Sequence, residues 1–299
     1  MTSNGSRLLF VGLPGSGKTT YLAALWHLME AVEIPSSLSA ESLQPDRTYL
    51  NRIRDNWLSF DEVGRTSLRD PETVNLVLRE SRTLRRVDVT LPDLSGESFQ
   101  LQWTNRYATR EYNEYVKDCT GILLFVHPLE LRHAPLISHV PNDGEEVTAS
   151  SGSISGVSDE PHTETVEEWA ADKTPTQVQL VELIQFVKWL PPVRRHLRLS
   201  IIVSAWDRVR EPLLSPASWV ERRAPLLSQF LLANHDELPF RIYGVSALGG
   251  DLKLDIAALK SESVASRRVR VVEGRVEPHH DLTAPVSFLL GLDRGSDVV

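Results

Sequence analysis

Residues 12–19 read GLPGSGKT, a fit to the pattern G-x-x-x-x-G-K-[ST]. The spacing suits a loop that cradles phosphate. Gly12, Gly15 and Gly17 let the backbone wrap closely with successive N–H groups pointing inward. Lys18 supplies a point charge for β- and γ-phosphates, and the Thr19 hydroxyl is a ligand for Mg²⁺. Pro14, Ser16 and Thr20 complete the stretch expected to contact nucleotide. A plain glycine-rich turn is the competing reading, but LLFVG precedes the loop as a strand and TTYLAALWHLM follows it as a helix. A second feature is RRVDVTLPDLSGE, a strand running into Asp93, Leu94, Ser95, Gly96 and Glu97. Asp93, at a strand end beside the phosphate loop, is placed to hold Mg²⁺ through water. The N–H of Gly96 can turn onto a γ-phosphate and sense whether it is present. D-x-x-G alone is common in turns and gains its meaning here from the phosphate loop.

The elements that must position these residues are short apolar strands alternating with helical patterns, which predicts an α/β fold with a mainly parallel sheet. LLFVG is the first strand, and Leu22, Leu25, Leu28, Met29 and Val32 share one face of the helix after it. TVNLVL at 73–78 and RRVDVTL at 85–91 alternate as an antiparallel pair. GILLFVH, LSIIVSAW and FRIYGVS are near-continuous apolar runs, as buried central strands are. TQVQLVELIQFVKWL at 176–190 is the clearest later helix, and 284–291 the last. The fold class expected is a three-layer P-loop NTPase fold: a mostly parallel central sheet, one antiparallel edge strand and inserted loops. A long irregular stretch is expected from Pro35 to about Pro71. WTNRYATREYNEYVKDC reads as one helix with Tyr112, Tyr115, Val116 and Cys119 on its buried side.

Residues 1–299 read as a single domain with two insertions. Residues 134–172 hold nine acidic residues and no lysine or arginine, too little apolar surface to order a segment. Residues 251–280 contain RRVRVVEGRVEP, which reads as a small hairpin before the last helix. His279, His280 and Asp281 have no third spaced metal ligand and mark a helix start with Thr283 and Pro285. The net charge of −8 argues against a nucleic-acid partner. The single cysteine, Cys119, excludes an internal disulfide. No apolar run approaches the roughly 18 residues of a spanning helix, and no leader pattern opens the chain, so a cytoplasmic protein is expected.

GLPGSGKT, DLSGE, SAWD and VSAL stand in the order of the phosphate loop, D-x-x-G switch, base reader and S-A-K/L loop of the translation-factor and Ras-like (TRAFAC) class of P-loop GTPases. The resemblance covers roughly 7–129 and 174–250. More narrowly, these motifs with a closing HDLTAPVSFLL resemble bacterial GTPases encoded beside conflict and anti-phage systems. The resemblance implies GTP/GDP and Mg²⁺ as cofactors. It implies that Asp207 accepts from guanine N1–H and the 2-amino group, while Ser246, Ala247 and Leu248 present a backbone N–H to O6. Two positions depart from the pattern: Ser204 replaces the usual asparagine and Ala205 the usual lysine, whose stem would lie across the base. Trp206 either substitutes for that stacking surface or packs into the core. Glu97 stands where many relatives carry the glutamine that orients the attacking water, which implies slow intrinsic hydrolysis. Thr66 is the favoured switch-I ligand of Mg²⁺, with Thr73 the alternative, and Arg65 beside Thr66 is either a cis arginine finger or a solvated side chain. The implied activity is a molecular switch acting on a separate effector chain, with room for a nucleotide-dependent dimer. The competing readings are a nucleotide-bound scaffold with negligible turnover and an ATP-dependent P-loop enzyme.

Overall fold

The computed structural model describes residues 5–43, 47–61, 72–134, 171–190, 197–209, 214–274 and 277–292. Arg65, Thr66 and nearly all of the acidic segment lie outside these residues. In chain order the strands are β1 (Ser6–Val11), β2 (Leu38–Leu43), β3 (Glu72–Glu80), β4 (Arg86–Asp93), β5 (Cys119–Val126), β6 (Arg198–Ser204), β7 (Phe240–Ser246) and β8 (Arg270–Glu273). The helices are α1 (Lys18–Ala31), α2 (Thr48–Ser59), α3 (Gly96–Asn105), α4 (Arg110–Val116), α5 (Thr176–Trp189), α6 (Pro216–Arg223), α7 (Pro225–Ala233), α8 (Ile256–Ser261) and α9 (Ala284–Leu289).

One eight-stranded sheet runs β2-β3-β4-β1-β5-β6-β7-β8. The pairs from β4 to β7 are parallel, so the loops after β1, β4, β5, β6 and β7 all open at one edge. In the near-continuous apolar strands, alternate residues face opposite layers. Leu8, Phe10, Leu123, Phe125 and Ile202 pack against α1, α2 and α9. Leu9, Val11, Ile122, Leu124 and Val203 pack against α3 to α7. The molecule is therefore a three-layer α/β fold with a mixed, mainly parallel sheet, and the loops after its parallel strands open at the edge where open α/β sheets bind ligands.

The sheet holds two strands beyond the expected pattern. β2 pairs antiparallel outside β3, and β8 pairs antiparallel outside β7. The stretch expected to be irregular therefore contains β2 and α2. β2 is pinned at its start by Asp281, whose carboxylate accepts from the Ser37 N–H (2.8 Å) and hydroxyl (2.5 Å). Thr283 accepts from the Leu38 N–H at 3.0 Å. α2 buries Leu50, Ile53 and Trp57, one face at helical spacing.

The helix expected after DLSGE is two helices. α3 ends on Arg106 in the left-handed region (φ 56°), and Thr109 restarts the chain as the cap of α4, accepting from the Tyr112 N–H at 3.1 Å. Cys119 belongs to β5 and is buried. In the 251–280 segment, β8 extends the main sheet, and Val271 exchanges backbone bonds of 2.7 and 2.9 Å with His279.

Candidate functional site

The loop between β1 and α1 takes the shape its glycines allow. Gly15 and Gly17 have φ of +73° and +91°, a region other residues adopt at a cost. No side chain caps the start of α1, which follows directly on the loop at Gly17. The Lys18 ammonium, 6% exposed, donates to the Gly12 carbonyl at 2.8 Å and the Leu13 carbonyl at 3.3 Å. It therefore lies along the loop, beside the ring of Phe99 from α3 at 5.7 Å.

The D-x-x-G segment closes directly on this loop. A Cβ on Gly96 would fall 2.5 Å from the Cα and nitrogen of Pro14, both backbone atoms that cannot swing aside. Ser95 caps α3 by accepting from the Ser98 N–H at 3.1 Å, which sets the helix start at Gly96. β4 ends at Asp93, which faces Glu72 in the antiparallel register, with Thr73 facing Pro92. Glu97 stands half-buried in the first turn of α3.

The SAWD and VSAL segments follow neighbouring parallel strands, with Ser204 opposite Val245. Ala205 takes φ 45°, ψ 46° and turns the chain into a 3-10 turn, Trp206–Arg208. The Asp207 N–H then donates to the buried Ser246 hydroxyl at 2.8 Å, tying one loop to the other. The Asp207 side chain stands exposed at this edge. Its neighbour Arg208 pairs with Asp251. Ser204 links the pair to the phosphate loop: its hydroxyl donates to the Val126 carbonyl at 3.4 Å, and a Cβ on Gly17 would touch it at 3.2 Å.

Trp206 answers one alternative left open by the sequence. Its ring lies over Gly244, where a Cβ would fall 2.4 Å away, and meets Trp219 edge-on at 6.4 Å. The indole packs into the helical layer beneath the loop. The structure thus brings together Gly12, Pro14, Gly15, Ser16, Gly17, Lys18, Thr19, Thr20, Gly96, Asp207, Ser246, Ala247 and Leu248 along one sheet edge.

Three residues that sequence reasoning did not assign to the site belong to its frame. Trp57 of α2 donates its indole N–H to the Ala247 carbonyl at 2.9 Å, reaching the base-side loop from 190 residues away in sequence. The Arg268 guanidinium lies over the rings of Trp57 (4.4 Å) and Phe60 (4.5 Å). The Arg268 carbonyl would clash at 2.3 Å with any Cβ on Gly249, whose φ is +90°. His127 follows β5 beside Asp207 and Arg208; burial lowers its pKa, opposed by the charges of Glu130 and Asp207. It also lines a cavity of about 260 Å³ with Leu13, Pro14, Gln100, Arg132 and Gln179. The amphipathic spacing of Leu50, Ile53 and Trp57 was the available signal for α2.

Among the described residues, no cluster of three or more His, Cys, Asp or Glu side chains could hold a metal ion, and no helix is long and apolar enough to cross a membrane. The His279–Asp281 segment is committed to structure: Asp281 bonds Ser37 and Thr283, and His280 Nδ1 meets the Val269 carbonyl at 2.6 Å.

No curated protein matches the chain. Among solved structures, it is similar to Methanosarcina barkeri Roco2 RocCORdC bound to GDP, at 9% identity and a TM-score of 0.33, covering 88% of this chain and 51% of that one. It thus spans about half the length of that relative. It is also similar to the signal recognition particle receptor SRb-GTP/SRX complex from Chaetomium thermophilum, at 13% identity and a TM-score of 0.35, covering 82% of this chain and 91% of that one. The family description Double-GTPase 1 matches residues 9–289, nearly the whole chain, and the protein belongs to that GTPase family.

Proposed function

We propose that the protein binds GTP with Mg²⁺, hydrolyses it slowly, and acts as a switch read by a separate effector chain. The observation that carries this reading is the meeting of four loops at one sheet edge. Gly96 presses on Pro14, Ser204 lies against Gly17, and Asp207 is bonded to Ser246. These contacts support the reading, because a phosphate loop, a phosphate sensor and a base reader must keep a fixed spacing to hold one nucleotide.

The residues present suit a magnesium nucleotide. The glycine-lined loop leaves room where a Cβ at Gly15 would meet nothing, and it joins directly to the helix start that carries Thr19. Thr19 and, through water, Asp93 would hold Mg²⁺, with Thr66 as the favoured further ligand. Bound Mg²⁺ would neutralise charge on the phosphate oxygens. The chain's own contribution is to orient phosphates on N–H groups of 12–19, to place the Lys18 charge beside them, and to present the Gly96 N–H to the γ-phosphate. Asp207 would accept two hydrogen bonds from guanine, and Ser246 to Leu248 would approach O6. Glu97 would orient water poorly, because its charge lies close to the phosphates. Arg65 would serve as a cis finger. The γ-phosphate would order 60–73 and 93–105, and hydrolysis would release them.

Competition binding of GTP, ATP and XTP to wild type and Asp207→Asn tests the base assignment. GTP preference in wild type, and gain of XTP at the expense of GTP in the variant, is the expected result. Equal ATP binding by wild type reduces the reading to an unspecified P-loop NTPase. Glu97 in the first turn of α3 favours one second reading, a nucleotide-bound scaffold with negligible turnover. Multiple-turnover hydrolysis against a Lys18→Ala control separates the two. The narrower resemblance suggests bacterial defence as the setting, which phage challenge of cells carrying wild type or Lys18→Ala would test.

A further inference from the structure

The turn after β6 is tied down residue by residue. Trp206 packs over Gly244, the Asp207 N–H bonds the Ser246 hydroxyl, and Arg208 pairs with Asp251. From Ala205 to Val209 only Asp207 is exposed, and among the described residues its carboxylate takes no hydrogen bond or ion pair. Asp251 is arranged to receive a cation. Its Oδ1 accepts from the N–H groups of Lys253 (2.7 Å) and Leu254 (3.3 Å), and its own N–H donates to Asp255 Oδ2 at 2.9 Å. A Cβ on Gly250 would fall 2.8 Å from that Asp255 oxygen, so the glycine leaves room for the arrangement. Oδ2 of Asp251 meets the Arg208 guanidinium, and the Asp251 side chain is only 17% exposed.

We propose that Asp251 is a specificity-determining positioning residue: it holds the Arg208 guanidinium off Asp207 and so keeps that carboxylate open for the paired N–H donors of a guanine base. The inference rests on the reading of Asp207 as the base reader. Arg208 adjoins Asp207, and elsewhere in this chain an arginine does bond the aspartate beside it. Arg54 donates to Asp55 Oδ1 from Nε at 2.9 Å and from Nη2 at 2.8 Å. Burial lowers the pKa of His127, Glu130 and Asp207 oppose the shift, and Arg208 adds to it, so the charges of Asp207 and Arg208 lie close together. A guanidinium fork matches a carboxylate as the N1–H and 2-amino group of guanine do, with a full charge behind it. A released Arg208 therefore competes with the base for the same two oxygens. As a tie between loops the pair contributes little, because it is part-exposed and duplicates the Asp207–Ser246 bond. As a guard it decides whether Asp207 is available.

The test is a double-variant cycle on the full chain, read by equilibrium binding of N-methylanthraniloyl-GDP. Asp251→Asn keeps an Oδ1 acceptor for Lys253 and Leu254 but removes the charge. It should weaken binding about tenfold, the worth of one contested hydrogen bond to a charged group. Arg208→Met alone should stay within about threefold of wild type, the worth of an exposed pair. Adding Arg208→Met to Asp251→Asn should restore most of the lost affinity. Added salt should restore part of it in Asp251→Asn alone, because it screens an exposed pair. Asp251→Ser, with a hydroxyl oxygen for the same two N–H groups, should behave like Asp251→Asn. If Asp251 were only a support for its loop, the double variant would bind no better than Asp251→Asn, and that result overturns the guard. Full affinity in both Asp251 variants overturns it too. Asp207→Asn separates the two readings. If it binds GDP as wild type does, the base reading falls and the guard with it; if it binds weakly while the Asp251 variants do not, the guard alone falls.

Discussion

The two ends of the sheet edge proposed to hold nucleotide are joined to the fold in different ways. At the base end, every loop is tied to a partner distant in sequence. Asp207 is bonded to Ser246, Ala247 to Trp57, and Gly249 is pressed on the Arg268 carbonyl. At the switch end, α3 and α4 are separated by a left-handed Arg106 and flank a cavity of about 220 Å³, and the distant ties of α3 (Trp103 to the Ala171 carbonyl, Arg106 to Glu182) lie at its far end from Gly96. A break between two short helices beside a cavity lowers local stability, the property a moving element needs. A base must be recognised identically in every nucleotide state, whereas a γ-phosphate sensor must let go. The difference in bonding matches that division.

The strongest way to break the comparison is at Gly96, where the loose end touches the rigid one. Gly96→Ala places a methyl 2.5 Å from Pro14 backbone, and neither element yields without moving the phosphate loop. Overpacking of this kind costs about 1–3 kcal/mol, so single-turnover hydrolysis should fall by about 10- to 100-fold. Nucleotide retention should fall much less, since the base end is untouched. If GDP affinity fell as far as hydrolysis, the two ends would be one mechanical unit and the contrast would be lost.

A smaller effect sharpens the other side. Trp57→Phe keeps the ring against Arg268 and removes the N–H that holds the Ala247 carbonyl. One lost hydrogen bond corresponds to about a fivefold change. It should fall on discrimination between GTP and the 2,6-diaminopurine triphosphate, which carries an amino group in place of O6 and has no N1–H. A loss shared equally by both nucleotides would make Trp57 a general support rather than a positioning residue.

How much of this was legible in the sequence follows the same divide between local and long-range causes. GLPGSGKT, its flanking strand and helix, the antiparallel pair and the three apolar strands declare themselves over short windows, and the structure has them. β2 hides because LSAESL has weak alternation that a register shift between Ala40 and Ser42 interrupts, and its anchors, Asp281 and Thr283, lie more than 240 residues away. α2 hides because polar residues dominate TYLNRIRDNWLS and only Leu50, Ile53 and Trp57 mark its buried face. The break between α3 and α4 carries no glycine or proline, only a capping threonine. The direction of Trp206 depended on Gly244 in the next strand, which makes room for an indole where any Cβ would bar it. Pattern reading finds elements whose reasons are local, and misses those held by a distant partner.

The support behind the base end should also respond to acid, by the smallest amount of all. Burial lowers the pKa of His279, with Asp281 and Glu273 opposing the shift and His280 reinforcing it. Its Nδ1 accepts from the Asp281 N–H at 3.1 Å, a bond only the neutral ring can make. A lowered imidazole pKa means the folded state prefers the neutral form. Its contribution is therefore whole above the ordinary range near about 6.5 and is lost as pH falls through that value toward the folded pKa. Because the ring is half-buried, the melting midpoint should drop by only about 1–2 °C from this group between pH 7 and pH 5. His279→Gln should flatten that part of the profile. Trp57 lies beside Arg268, one residue from the Val269 carbonyl that His280 meets, so its fluorescence should follow the same transition. A pH profile unchanged by His279→Gln would leave the acid sensitivity to other groups, among them His127, whose pKa burial also lowers.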